Sequence, residues 1–193
     1  MIHLVGPGGA GKSTAGAALA ERLGVSFADL DAEFAARSGD ISVYLATHGY
    51  DGYANRNVNL YSALVAERGR PDVVVALSSG FMTYRGDIHS RYARLRQRIA
   101  SSETTFVLLP SLDLETCVTE IVRRQLRRPF ARGAEREEDV IRTRFPIYVG
   151  LPARKVETMR PVDAVVAELT ARAAGERQAG GSFKDAQYRY VRE

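Results

Sequence analysis

Short apolar runs alternate along this chain with longer stretches whose apolar positions recur at helical spacing, so strands and helices take turns. Ile2–Val5 reads as a buried strand, followed by a glycine-rich turn over 6–11. Lys12–Leu23 then reads as a helix, with Ala15, Ala18, Leu19 and Leu23 on one face and Gly24 as its stop. A short strand over 26–28 ends at Asp29, and helical patterns cover 32–37, 41–47 and 52–68. Residues 73–77 and Thr105–Leu109 are continuous apolar runs with the β-branched content of central strands. A basic helix is predicted between them, over 88–99, and another helix over 114–126. The arginine-rich stretch 127–136, broken by Pro129 and Gly133, reads as a mobile loop. A helix over 137–145, a strand over 154–157 and a last helix over 162–173 complete the pattern. Strands alternating with helices predict an α/β fold around a parallel sheet.

Composition narrows this picture only at its edges. A chain of 193 residues, 45% hydrophobic and 26% charged, suits one globular domain, placed at 1–174. From Gly175 the composition shifts to Gly, Gln, Ser and charges, which predicts a flexible tail over 175–193, or an arm that orders against a partner. No apolar run exceeds strand length, Met1 opens almost directly into a strand, and Cys117 is the one cysteine. A cytoplasmic protein without membrane contact is expected, acting as a monomer or weak homo-oligomer. Only three of the 27 basic residues are lysine, and the arginines are spread along the chain. The net charge of +4 therefore does not point to nucleic acid.

The chemistry begins at Gly6-Pro7-Gly8-Gly9-Ala10-Gly11-Lys12-Ser13, which fits G-x-x-x-x-G-K-[ST] between a strand and a helix. Small residues at Gly8, Gly9, Ala10 and Gly11 let successive backbone N–H groups wrap phosphates at the positive end of the helix. Lys12 reaches the β- and γ-phosphates, the Ser13 hydroxyl is a ligand for Mg²⁺, and Thr14 joins the nucleotide-binding set. ATP with Mg²⁺ is the implied cofactor. Asp29 and Asp31 follow at the carboxyl end of the second strand, where ligands gather in open parallel sheets. One carboxylate can hold Mg²⁺ through water while the other accepts the proton of an acceptor hydroxyl. The alternative is local: Asp31 capping the helix that starts near Ala32.

Taken together these motifs resemble the shikimate kinase family, within the P-loop small-molecule kinases that include gluconate kinases. The likeness runs from Met1 to about Ala174. It implies a P-loop NTPase fold, with a five-stranded parallel sheet flanked by helices and a mobile lid at about 126–136. Arg128-Pro129-Phe130 is similar to the family's lid motif, which makes Arg128 the arginine expected over the phosphates, with Arg124 in the nucleotide site. Arg123, Arg127 and Arg132 stand nearby as alternatives. Arg144-Phe145-Pro146-Ile147-Tyr148 is similar to a motif whose arginine binds the substrate carboxylate. Thr158-Met159-Arg160-Pro161 resembles the adenine-binding loop.

Two departures stand on the acceptor side. The family's Gly-Gly-Gly turn is Ser78-Ser79-Gly80 here, and its Phe-Arg-x-x-Glu motif is Tyr53-Ala54-Asn55-Arg56-Asn57. Arg56 does not replace the missing arginine, because two residues along a helix is a rotation of about 200°. Tyr50, Tyr53, Asn57 and Tyr61 leave a polar, uncharged face. The expected substrate contacts are Asp31, Tyr53, Asn57, Ser79, Gly80 and Arg144, with Ser13 and Asp29 on the metal. Lys12, Asp31 and Arg128 are the expected catalytic residues. The reading is an ATP-dependent kinase acting on a hydroxyl of a small polar metabolite other than shikimate. True shikimate kinase and a nucleotide-binding pseudo-kinase are the alternatives.

Overall fold

The computed structural model describes residues 1–68, 72–127 and 133–179. Its elements are β1 (Ile2–Val5), α1 (Lys12–Leu23), β2 (Ser26–Asp29), α2 (Leu30–Ser38), α3 (Ile41–Arg68), β3 (Val73–Ala76) and a 3₁₀ turn (Phe81–Thr83). They continue with α4 (Tyr92–Ala100), β4 (Thr105–Leu109), α5 (Leu114–Gln125), α6 (Ala134–Gly150), β5 (Arg154–Glu157) and α7 (Val162–Ala179). The strands form one parallel sheet in the order β2-β3-β1-β4-β5. Among the described residues this is the five-stranded, helix-flanked α/β architecture that the sequence implies.

Period-two alternation explains why the central strands read as unbroken apolar runs. In β3, Val73 and Val75 pack on one face and Val74 on the other; in β4, Val107 and Leu109 oppose Phe106 and Leu108. One face is covered by α1 and α7, through Leu19, Val165 and Leu169. The other carries the larger core, with Phe34 of α2, Val58 and Leu64 of α3, Ile99 of α4, Cys117 and Ile121 of α5 and Ile141 of α6. Cys117 is fully buried.

Several boundaries differ from the expectations, each for a local reason. The chain does not stay extended after Asp29; α2 begins at Leu30, because Asp29 itself is its cap. The patterns over 41–47 and 52–68 form one run broken only at Gly49, whose φ of 70° and ψ of 177° interrupt the helix after His48. The basic helix starts at Tyr92, four residues later than its pattern suggested, after turns over 85–91. Conversely, α6 runs through Pro146 instead of ending at Phe145. Pro146 is exposed, and burial of Phe145 and Tyr148 on either side outweighs the lost backbone bond. Residues 134–136 are its first turn, so they are not loop. Residues 128–132, with Arg128 and Arg132, lie outside the described residues. α7 continues to Ala179, so 175–179 are helical backbone although their composition suggested a tail, and residues from Gly180 lie outside the description.

Candidate nucleotide and acceptor site

The phosphate loop is built where β1 ends and α1 begins. Gly6, Gly9 and Gly11 have φ of 146°, 78° and 87°, so successive peptides turn in ways that side chains resist. Space is as decisive at Gly6: an added Cβ would stand 2.2 Å from the Leu108 carbonyl oxygen of β4. Lys12 is buried, and its ammonium donates to the Gly6 and Pro7 carbonyl oxygens at 2.8 Å each. A cradle with room only for hydrogen at Gly6, with a buried cation across its mouth, fits a polyphosphate by shape and charge.

Asp29 ties this loop to the next strand. Its Oδ2 accepts from the Ser13 hydroxyl at 2.5 Å, while Oδ1 accepts from the backbone N–H of Asp31 at 2.9 Å and of Ala32 at 3.2 Å. The cap is Asp29, not the alternative Asp31, and one carboxylate both starts α2 and reaches the Ser13 hydroxyl. Capping leaves Asp31 available: its Oδ1 accepts only a long bond from the Tyr53 hydroxyl at 3.3 Å, and no cation pairs with it among the described residues. Burial first, and then the Asp31 charge, push the Tyr53 phenol well above its ordinary pKa, so it stays a donor.

The Tyr50 ring lies 6.2 Å from that of Tyr53, and Arg144 donates from Nη2 to the Tyr50 hydroxyl at 3.0 Å and from Nη1 to the Ser79 carbonyl at 3.5 Å. It pairs with no carboxylate among the described residues, so its charge faces the space between α3 and the 78–80 turn. Tyr148 donates to the same Ser79 carbonyl at 2.6 Å and fixes that turn. A Cβ on Gly80 would stand 2.6 Å from the Tyr50 hydroxyl and 3.3 Å from Arg144 Nη2, so Gly80 lies at the floor of this space. The Asp31–Tyr53 bond, the Tyr53–Tyr50 ring contact and the Arg144 bonds thus link Asp31, Tyr53, Ser79, Gly80 and Arg144 as neighbours.

Asn57 does not join them at the surface. It is 0% exposed and donates to Ser78 Oγ at 2.8 Å and to the Tyr84 hydroxyl at 3.0 Å, while its own oxygen has no partner. The expected substrate contact is replaced by a support beneath the site, because Ser78 and Tyr84, on either side of the 3₁₀ turn, cover Asn57. Tyr61 also leaves the predicted face, bonding His3 at 2.7 Å; burial, and then the N-terminal charge, hold that imidazole at about 3. Arg56 bonds Ser38 Oγ at 2.9 Å, away from the site. Tyr50, which the residue pattern placed on the right face without a role, is the neighbour of Arg144.

Beside the phosphate loop lies a cavity of about 300 Å³, the candidate nucleoside end, lined by Gly9, Gly11, Thr14, Ala15, Arg124, Thr158, Arg160, Val162 and Val165. Arg124 crosses it, donating to the Gly9 carbonyl at 3.1 Å and the Thr158 carbonyl at 3.0 Å. Glu120 holds the Arg124 Nε at 2.6 Å and Arg123 at 2.6 Å, a support legible only as i+3 and i+4 spacing. Arg160 lines the cavity with its guanidinium paired to Glu168. Pro161 is exposed and absent from the lining; its carbonyl accepts from Ala164 at 3.0 Å and so starts α7. That carbonyl gives Pro161 a helix-initiating role beside the cavity.

A five-stranded sheet of this order, with a phosphate loop after β1 and paired aspartates after β2, defines a P-loop small-molecule kinase, an ATP-dependent phosphotransferase. The shikimate kinase family model matches residues 8–174. The shikimate kinase of Nitratidesulfovibrio vulgaris is 32% identical over 176 residues, covering 88% of this chain and 93% of that protein. The shikimate kinase of Mannheimia succiniciproducens is 33% identical over 152 residues, covering 76% and 79%. The chain belongs to the shikimate kinase family. Its fold matches shikimate kinase from Acinetobacter baumannii in complex with shikimate, with TM-score 0.68 and 24% identity over 91% of this chain and 94% of that one. It also matches a gluconokinase from Sinorhizobium meliloti, with TM-score 0.58 and 17% identity over 92% and 93%. No helix among the described residues is long and apolar enough to cross a membrane.

Proposed function

We propose that this chain transfers the γ-phosphate of ATP, with Mg²⁺, to a hydroxyl of a small polar metabolite held between Asp31 and Arg144, and that this metabolite differs from shikimate. The observation that carries the transfer is the division of labour after β2: Asp29 is committed to Ser13 and the α2 cap, whereas Asp31 meets only Tyr53. Lys12, Ser13 and Asp29 are the groups that would hold ATP and Mg²⁺, which supply the phosphoryl group and offset its charge. Asp31 orients the acceptor hydroxyl and accepts its proton as the oxygen bonds to phosphorus. Tyr53 fixes that carboxylate by donating to it. Lys12 offsets charge on the transferring group, and Arg128 is proposed for the same task from outside the described residues.

What supports a different acceptor is the far end of the pocket. Ala54 and Asn57 stand where the resemblance places a charged pair, and Arg144 has the neutral Tyr50 hydroxyl beside it. Losing a second guanidinium weakens a carboxylate grip by about 1.5–3 kcal/mol. True shikimate kinase is the second reading, favoured by the names of the relatives. Shikimate, quinate, gluconate, cyclitols, amino sugars and nucleosides, each with Mg-ATP, would be compared by ADP release. Turnover best with a compound other than shikimate is the expected result. Shikimate as the best acceptor establishes the second reading, and tight ATP binding with no acceptor leaves a pseudo-kinase.

A further inference from the structure

Arg124 and Gln125 are consecutive at the end of α5, and both lie against Gly9 of the phosphate loop. Arg124 reaches Gly9 and Thr158 at the nucleoside cavity. Gln125 lies over Gly8, where an added Cβ would stand 2.6 Å from Nε2, 3.4 Å from Cδ and 3.7 Å from Oε1. The carboxamide therefore rests close on the Gly8 backbone, where an added Cβ would displace it. Its Nε2 donates to Glu137 Oε2 of α6 at 3.3 Å, and its Oε1 is buried with no partner among the described residues. The amide orientation follows from Glu137, because a carboxylate accepts hydrogen bonds and Oε1 has none to give.

Lys12 shows which end of a nucleotide would face Gln125. Its ammonium sits on the Gly6 and Pro7 carbonyls, so the limb of the loop leading to Gly8 borders the cation that reaches the β- and γ-phosphates. The nucleoside cavity lies at the other limb, against Gly9, Gly11 and Thr14. The bond to Glu137 is long, and the second Nε2–H has no partner among the described residues. A phosphate oxygen is a charged acceptor and the stronger partner for such a donor.

We propose that Gln125 is a side-chain ligand of the terminal phosphate, donating its second Nε2–H to a γ-phosphate oxygen. This rests on the nucleotide reading above and extends it to a residue outside every motif in the sequence. The test is titration calorimetry of the full chain with Mg-ATP and, separately, Mg-ADP, for wild type, Gln125→Leu and Gln125→Glu. The Leu variant should bind ADP as wild type does and lose about tenfold in ATP affinity, the size of one hydrogen bond to a charged group. The Glu variant should lose more, because a second carboxylate then faces both Glu137 and the phosphate. ADP affinity is the control for folding; if the Leu variant does not fold, Gln125→Asn, which keeps the amide but shortens its reach, is read the same way. An unchanged ratio of ATP to ADP affinity overturns the assignment to Gln125 alone. Absence of saturable heat with both nucleotides in the wild type overturns the nucleotide reading and this assignment with it.

Discussion

Replacing Asp29 separates two roles that one side chain holds. Its Oδ1 caps α2 through the N–H groups of Asp31 and Ala32, and its Oδ2 takes the Ser13 hydroxyl. Asparagine caps helices about as well as aspartate, whereas alanine does not cap at all. Asp29→Ala should therefore cost about 1 kcal/mol of stability. In a domain of this size that lowers the melting temperature by roughly 2–4 °C. Asp29→Asn should stay close to the wild-type melting temperature. Magnesium responds differently, because both substitutions remove the charge proposed to hold the ion behind Ser13. Both variants should need several-fold more Mg²⁺ for half-maximal ATP binding. Scanning calorimetry without ligand measures the first effect, and ATP titration at graded Mg²⁺ measures the second. Equal destabilisation by Asn and Ala would refute the capping account. Wild-type Mg²⁺ dependence in Asp29→Asn would refute the metal role.

Three further outcomes follow from the geometry. Gly6→Ala places a methyl 2.2 Å from the Leu108 carbonyl oxygen at a φ of 146°, so urea unfolding should show a loss of about 3 kcal/mol. Gly80→Ala keeps an ordinary φ of −98° but meets the Tyr50 hydroxyl at 2.6 Å, so the Arg144–Tyr50 bond must open. Acceptor KM should rise about five- to tenfold while ATP affinity holds, as steady-state kinetics and calorimetry would show. Hydrogen bonds from Arg123, and then from Arg124, hold the Glu120 carboxyl at about 2, below its ordinary 4.5, against the opposing effect of burial. A depressed folded-state pKa gives stability that is present above about 4.5 and lost as pH falls toward about 2. The difference in urea midpoint between wild type and Glu120→Gln should shrink across that window; a constant difference would remove Glu120 as its source.

The phosphate loop and the central strands were legible in the sequence because their physics is local. Wrapping a phosphate needs contiguous small residues, and a strand buried on both faces shows as an unbroken apolar run. Sidedness on α3 was harder. Helical spacing grouped Tyr50, Tyr53, Asn57 and Tyr61, but only packing shows that Tyr50 meets Arg144, Asn57 is sealed under Ser78 and Tyr61 turns to His3. Asp29 could be read as metal ligand or Asp31 as cap, and the geometry gives the cap to Asp29 as well. Pro146 misled for the opposite reason: a residue that stops isolated helices is tolerated when its exposed side carries the break and its neighbours are buried. Gln125 left no trace in the sequence, since its contact with Gly8 exists only once α5 has docked over the loop.

The account turns on where the terminal phosphoryl group goes. ATP labelled in its γ-phosphate, incubated with the full chain, Mg²⁺ and the panel of hydroxylated metabolites, follows it directly. Label should appear in one organic acceptor in step with ADP, and Asp31→Asn should abolish that transfer while leaving ATP binding in place. Label that stays in ATP, or reaches only inorganic phosphate at a rate no metabolite changes, would contradict the kinase assignment.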